Sequence, residues 1–163
     1  MIILGFDPGL ATLGYGAINY ERGRASVIDY GVILTPKDEN LAVRLCMLEE
    51  GIKKVIAKFK PNEIAVEELF FAKNVTTGIN VAHARGVLLL TAVKECGRLY
   101  EYTPLQIKQA LTGYGRADKN QIQQMVKTFL NLPAVPKPDD AADALAVALT
   151  HSQTNRLGDL FKI

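Results

Sequence analysis

Apolar residues fall along this chain in two regimes, short unbroken runs and longer stretches that recur every three or four positions, and their order sets the expected architecture. Ile2 to Phe6 is a short run stopped by Asp7-Pro8-Gly9, which reads as a buried strand ending in a turn. Gly14 to Tyr20 and Ala25 to Thr35 are two further strands, joined by Glu21-Arg22-Gly23-Arg24, a connector of hairpin length. Past Pro36, Leu41, Val43, Leu45, Leu48, Ile52, Val55, Ile56 and Phe59 recur with helical period, and Asp38 or Asn40 stands where a cap belongs. Ile64 to Leu69 predicts a strand, Asn74 to Glu95 a long helix poor in charge with a stop at Gly97, and Leu99 to Tyr102 a brief strand ended by Thr103-Pro104. Helices are expected from Leu105 to Leu111, from Lys119 to Leu130 and, beyond Pro133, Pro136 and Pro138, from about Asp139 to Gln153.

The order βββ-α-β-α-β-α-α-α is that of an α/β domain whose sheet opens with three antiparallel strands. With 163 residues and no repeat, low-complexity tract or linker, the chain reads as one domain over residues 1–153 and a C-terminal tail over 154–163. Hydrophobic residues at 48% and charged residues at 22% exclude disordered and collagen-like classes. The longest late apolar run, Val87 to Leu90, is far below the ~18 residues of a membrane span, so no membrane partner is expected. Cys46 and Cys96 lack metal or redox spacing and read as free thiols of helical, apolar surroundings, which suits a cytoplasmic protein.

Net charge is only +2, but it is unevenly spread. Lys94 to Lys137 carries seven basic residues against three acidic ones, whereas Pro138 to Ile163 carries four acidic against two basic. A basic stretch therefore abuts an acidic cluster.

Asp7 closes the first strand, Glu67 and Glu68 end a later one, and Asp140 and Asp143 lie three apart in the first turn of the last helix. If the first and fourth strands are neighbours and that helix starts over their ends, Asp7, Glu67, Asp140 and Asp143 converge. Four carboxylates in one place repel, so protons or divalent cations must neutralise them. Hard oxygen ligands suit Mg²⁺ or Mn²⁺, and two such ions on a phosphodiester are the natural chemistry. Each residue also has a plainer role: Asp7 as a turn former, Asp139 or Asp140 as a helix cap, Asp143 as a partner of the helix dipole, and Glu67 or Glu68 as surface charge. Strand alternation sends one of the two glutamates away from the site.

Several spaced motifs now fall into order: Gly5-Phe6-Asp7-Pro8-Gly9, Gly14-Tyr15-Gly16, Val66-Glu67 with Phe70, Ala72-Lys73-Asn74, Ala84-Arg85-Gly86, Pro104-Leu105-Gln106-Ile107-Lys108, and Asp140-Ala141-Ala142-Asp143-Ala144-Leu145-Ala146. From Ile3 to about His151 the chain resembles RuvC-type Holliday junction resolvases. The resemblance implies an RNase H-like fold with a five-stranded mixed sheet, three strands antiparallel and two parallel, flanked by helices. It implies a homodimer that nicks opposed strands of four-way junction DNA with Mg²⁺, two ions per site and Mn²⁺ as a substitute, in recombination and repair, alongside the branch-migration proteins RuvA and RuvB. Asp7, Glu67, Asp140 and Asp143 occupy the positions of the family's four metal-binding carboxylates, and Phe70, Lys73, Asn74, Lys108, Arg116 and Lys119 those expected to meet DNA. Two departures stand out: Leu10-Ala11 replaces the polar or basic pair of many members, and Glu68 adds a negative charge beside Glu67.

From the residues alone, Phe70 or Phe71 is either a base-stacking aromatic or a lid packed on the core; the resemblance favours Phe70 facing DNA. Lys108, Arg116 and Lys119 flank Thr112-Gly113-Tyr114-Gly115, a basic connection suited to phosphates or simply a solvated loop. Gly78, Ala82 and Gly86 recur every four residues and leave a helix face with little bulk, free to meet the domain's own sheet or a second subunit. His83 and His151 read as isolated residues without a visible partner. Rival readings are a sugar-kinase-like phosphotransferase, which needs two such domains, a ribosomal-RNA-processing nuclease that shares the Asp-Pro-Gly opening, and a module that binds branched DNA without cutting it.

Overall fold

The computed structural model describes residues 1–69, 75–154 and 162–163. Strands β1 (Ile2–Asp7), β2 (Thr12–Glu21) and β3 (Arg24–Leu34) are followed by helix α1 (Leu41–Phe59), strand β4 (Glu63–Glu67), helix α2 (Val75–Glu95) and strand β5 (Leu99–Tyr102). Helices α3 (Pro104–Thr112), α4 (Lys119–Phe129) and α5 (Asp139–Thr154) complete the order. The five strands form one mixed sheet, β3-β2-β1-β4-β5, with β1–β2 and β2–β3 antiparallel and β1–β4 and β4–β5 parallel. This is the α/β architecture expected from the element order.

Local chemistry explains the boundaries. The β2–β3 turn places Arg22 and Gly23 at φ 52° and 81°, the two left-handed positions of a tight hairpin whose twist matches its strands. Asn40 caps α1 by accepting from the Val43 amide at 3.0 Å. Thr103 with Gln106 and Asp118 with Gln121 form reciprocal capping boxes that fix the starts of α3 and α4. The β4 ladder stops two residues short of the expected Leu69, its last bond running from the Glu68 amide to the Tyr102 carbonyl at 2.8 Å.

Two cores lie on opposite faces of the sheet. Leu4, Phe6, Leu13, Ile64 and Val66 meet α1 and α2, and Ile3, Ile18, Ala65, Tyr100 and Tyr102 meet α3, α4 and α5. Each large side chain so buried is worth about 1.5–3 kcal/mol. Strand parity then decides the functional face: Asp7 shares the side of Ile3, and Glu63 and Glu67 share that of Ala65, so all three acids look toward α5. The Phe6–Val66 pairing leaves Asp7 and Glu67 next in register on neighbouring parallel strands.

Helix α5 can lie on that face because both surfaces are small. It contributes Ala141, Ala144 and Ala148, and a side chain at Gly14 would overlap the Asp140 carbonyl while one at Gly5 would overlap that of Ala144. The last residues also return to the sheet, with Lys162 bridging Tyr100 and the Ile163 amide donating to the Leu99 carbonyl at 3.1 Å. One expectation needs correction. Leu41, Val43 and Cys46 are exposed, because the buried stripe of α1 is Leu48, Ile52, Val55, Ile56 and Phe59. Leu10, one of the two departures from the family pattern, is 7% exposed and packs into the core.

Candidate active site

The C-terminal ends of β1 and β4 and the first turns of α5 gather acids at one edge of the sheet. Asp7 hydrogen-bonds Glu67, and burial first, then the charges of Glu67, Asp143 and Asp140, drives its carboxyl well above the usual carboxylate range. Glu67 is likewise raised, chiefly by burial and then by Asp143. Asp143 is raised by burial too, against the pull of Lys119. Asp7 and Glu67 thus behave as a pair inclined to share a proton. Asp140 acts on Asp7 electrostatically, while also lining a neighbouring cavity with Gly9, Thr12 and Asn80.

A basic wall faces this acid pole. Lys119, the first residue of α4, sits 3.2 Å from Asp143 Oδ2 and 3.5 Å from Asp139 Oδ2. Burial lowers its ammonium, but Asp143 and Asp139 outweigh that and raise it overall. A lysine at a helix N-terminus opposes the helix dipole, and the two aspartates offset this. Lys108 lines the same cleft, with Glu67, Asp143 and Lys119, and enters no ion pair among the described residues. Arg116 is exposed on the loop between α3 and α4. Asp139 is held by Lys137 Nζ at 3.2 Å and Gln123 Nε2 at 3.1 Å, so it is a partner of lysines.

The donor set fits a hard divalent cation, since every acid at the pole offers only oxygen. Among the described residues, however, no three His, Cys, Asp or Glu side chains already stand as one ion's ligands. Asp7 instead hydrogen-bonds Glu67, and the Lys119 ammonium lies 3.2 Å from Asp143 Oδ2. Phe70, Lys73 and Asn74 lie outside the described residues.

The small-residue stripe of α2 does not rest on the sheet. Its buried face is Ala84, Leu88, Thr91 and Ala92, whereas a side chain at Gly86 would meet open space. Exposed Val75, Ile79, Leu90 and Val93 continue that open face. Sequence reasoning also missed a second polar centre. His151, expected to be isolated, is buried between Tyr102 and Glu63, with Nδ1 2.7 Å from the Tyr102 hydroxyl and Nε2 2.7 Å from Glu63 Oε2. Its partners lie 49 and 88 positions away in sequence, so no local signal announces them. Arg85 and Glu101 form a half-buried ion pair joining α2 to β5.

Sheet order and acid placement define an RNase H-like domain. The family model described as "Crossover junction endodeoxyribonuclease RuvC" matches residues 3–151. Curated relatives of that description include a protein of Alkaliphilus oremlandii, 56% identical over 100% of this chain and 99% of its own, and one of Clostridioides difficile, 52% identical over 99% and 96%. The structure of Thermus thermophilus RuvC in complex with a Holliday junction substrate superposes with a TM-score of 0.93 at 34% identity, covering 100% of this chain and 99% of that one. The yeast mitochondrial Holliday junction resolvase Ydc2, at 16% identity and a TM-score of 0.66, shares the fold. The chain belongs to the RuvC family of crossover junction endodeoxyribonucleases. Neither the RNA-processing nor the non-cleaving reading is favoured by these relatives. No helix among the described residues is long and apolar enough to cross a membrane.

Proposed function

We propose that this protein resolves four-way DNA junctions by nicking two opposed strands as a homodimer, with divalent cations held by Asp7, Glu67, Asp140 and Asp143. The observation that carries this reading is the acid pole itself: carboxylates raised by burial first and then by neighbouring acids, opening onto a cleft walled by Lys108 and Lys119. Mg²⁺ bound there, or Mn²⁺ in its place, supplies charge stabilisation to an in-line displacement at phosphorus and lowers the pKa of the attacking water. Asp7 and Glu67 would hold the cation as ionised carboxylates, so its binding would be coupled to loss of protons from the pole. Lys119 leaves Asp143 free to ligate and, with Lys108, holds the phosphodiester by charge. Arg116 extends the basic track, and Phe70, Lys73 and Asn74 take the DNA-facing roles that their motif positions imply. The nicks carry 5′-phosphate and 3′-hydroxyl ends.

The dimer reading rests on α2. Val75, Ile79, Ala82, Gly86, Leu90 and Val93 follow one another at three- and four-residue steps, an apolar seam whose small centre lets two helices approach closely. A two-fold junction cut on opposed strands calls for two matching sites, which a two-fold dimer provides. Sedimentation should show a dimer that Gly86→Glu dissociates; a wild-type monomer at micromolar concentration would remove the seam. The reducing cytoplasm and the partners RuvA and RuvB remain part of this proposal through family membership.

The test is incubation of a synthetic immobile four-way junction with the protein and Mg²⁺. Paired nicks that a ligase seals are expected. Unsealable ends, or linear duplex cut as readily as the junction, would contradict the reading.

A further inference from the structure

Thr35, just past the end of β3, is a buried polar residue that the chemistry of the acid pole leaves unused. Its amide donates to the Ala11 carbonyl at 3.1 Å, one step beyond the Thr12–Leu34 pair, so the β2–β3 ladder runs on into the turn that follows Asp7. Its hydroxyl lies 2.6 Å from the Leu10 carbonyl in that turn and 2.9 Å from Arg44 Nε in the first turn of α1. A guanidinium can only donate, so Arg44 takes a lone pair of the hydroxyl and leaves its one hydrogen to the Leu10 carbonyl. One oxygen therefore ties together the turn, the end of β3 and α1. The turn is also folded tightly on itself, since a side chain at Gly9 would overlap the Thr12 carbonyl.

This turn stands between two of the acids. Asp7 precedes it on β1, and the start of α5 lies against it, with Asp140 lining one cavity together with Gly9, Thr12 and Arg44. We propose that Thr35 and Arg44 are positioning residues for the cation site: through the Leu10 carbonyl they fix the turn after Asp7, and with it the spacing of Asp7 from Asp140. The inference rests on the cation-dependent function proposed above. Without the hydroxyl, the Leu10 carbonyl loses its partner and the turn its anchor, and a shift of about 1 Å at a catalytic group is enough to cost about 10²-fold. Arg44 enters no ion pair among the described residues, so its charge repels an incoming cation while its hydrogen bond prepares the site. The two effects move cation affinity in opposite directions, and the sign of the change shows which one governs.

The test is calorimetric titration of Mn²⁺ into chelator-treated, full-length protein and its Thr35→Val, Thr35→Ser and Arg44→Met variants. Each is measured well below its melting temperature in chelator, so that lost stability alone leaves the Kd unchanged. Thr35→Val should weaken Mn²⁺ binding by about 10- to 100-fold, the usual cost of losing a group that orients metal ligands, and Arg44→Met by about 10-fold. Thr35→Ser keeps the hydroxyl and should stay within about threefold of wild type. Cutting of a four-way junction should follow the same order, with kcat lowered and the KM for the junction unchanged. Wild-type affinity in Thr35→Val, a Thr35→Ser variant as weak as Thr35→Val, or unchanged or tighter binding in Arg44→Met overturns the positioning role. A raised KM at unchanged kcat in Arg44→Met would make that residue a DNA contact and overturns it too. Wild-type protein that takes up no Mn²⁺ removes the cation-dependent function instead, and the positioning role with it.

Discussion

Strand β4 carries a glutamate at each end of the same face, and the two ends keep opposite company. Four residues of strand span about 13 Å, and the eight residues of α5 from Asp143 to His151 rise about 12 Å, so the antiparallel helix delivers one partner to each end. At one end Glu67 meets Asp7 and Asp143, and all three carboxyls are raised, by burial first and then by neighbouring acids. At the other, Glu63 accepts from His151 Nε2, whose Nδ1 accepts from the Tyr102 hydroxyl, which in turn accepts from Thr154 Oγ1 at 3.0 Å. Burial pulls the His151 ring down and pushes the Tyr102 hydroxyl up to about 12. The same helix and strand thus build a satisfied polar centre and an unsatisfied one. Only the second has anything to gain from a cation.

The largest effect should come from breaking the acid end. Asp7→Asn or Asp143→Asn is expected to lower junction cutting by about 10³-fold or more, since several kcal/mol of charge stabilisation is lost at about 1.4 kcal/mol per tenfold. Junction binding, read in a gel shift, should persist; its loss would make these residues structural. Breaking the other end should cost stability. His151→Ala removes two buried hydrogen bonds and leaves a void, so chemical denaturation should show a loss of about 2–4 kcal/mol. A variant as stable as wild type would make the centre incidental.

Paired substitutions sharpen the contrast in sign. In chelator, Glu67→Gln should stabilise by about 1 kcal/mol, or about 2–4 °C in Tm, because it relieves repulsion. Glu63→Gln should destabilise by a similar amount, because a charge-assisted bond becomes a neutral one. Equal signs would show that the two ends do not differ as described.

The pH response should be the mildest and also opposite in sign. His151 has a folded pKa below its unfolded value of 6.5, so the unfolded chain takes up the proton first. Stability is lost as pH falls below about 6.5, by up to about 1.4 kcal/mol per unit relative to a His151→Phe variant. The acids run the other way. A raised folded pKa gives stability at low pH that is lost as pH rises through it, so Asp7→Asn should gain on metal-free wild type toward neutral pH. Thermal scans from pH 5 to 8 in chelator would show both slopes, and parallel curves would refute them.

How much of this is legible in the chain depends on how local each cause is. The bounds of α1, Leu41 to Phe59, follow from apolar period and the Asn40 cap, both written within a few residues. The acid pole is legible because alternation on β1 and β4 and the i, i+3 spacing on α5 each fix a direction. The companions of those acids are not: the Lys119–Asp143 contact crosses 24 positions, and Lys119 reads in sequence as a phosphate ligand or a solvated loop residue. His151 is illegible for the same reason, since only the closed sheet brings Glu63 and Tyr102 to it. The close approach of α5 was written as Gly5, Gly14 and Gly16 opposite a run of alanines, a pattern that becomes readable once the β1–β2 pairing is known.

The most direct test of the acid pole is calorimetric titration of Mn²⁺ and Mg²⁺ into chelator-treated protein at neutral pH, in buffers of different ionisation enthalpy. Saturable uptake with proton release is expected, much weakened in Asp7→Asn. An absence of uptake, or equal uptake by Asp7→Asn, would contradict the claim that these carboxylates await a cation.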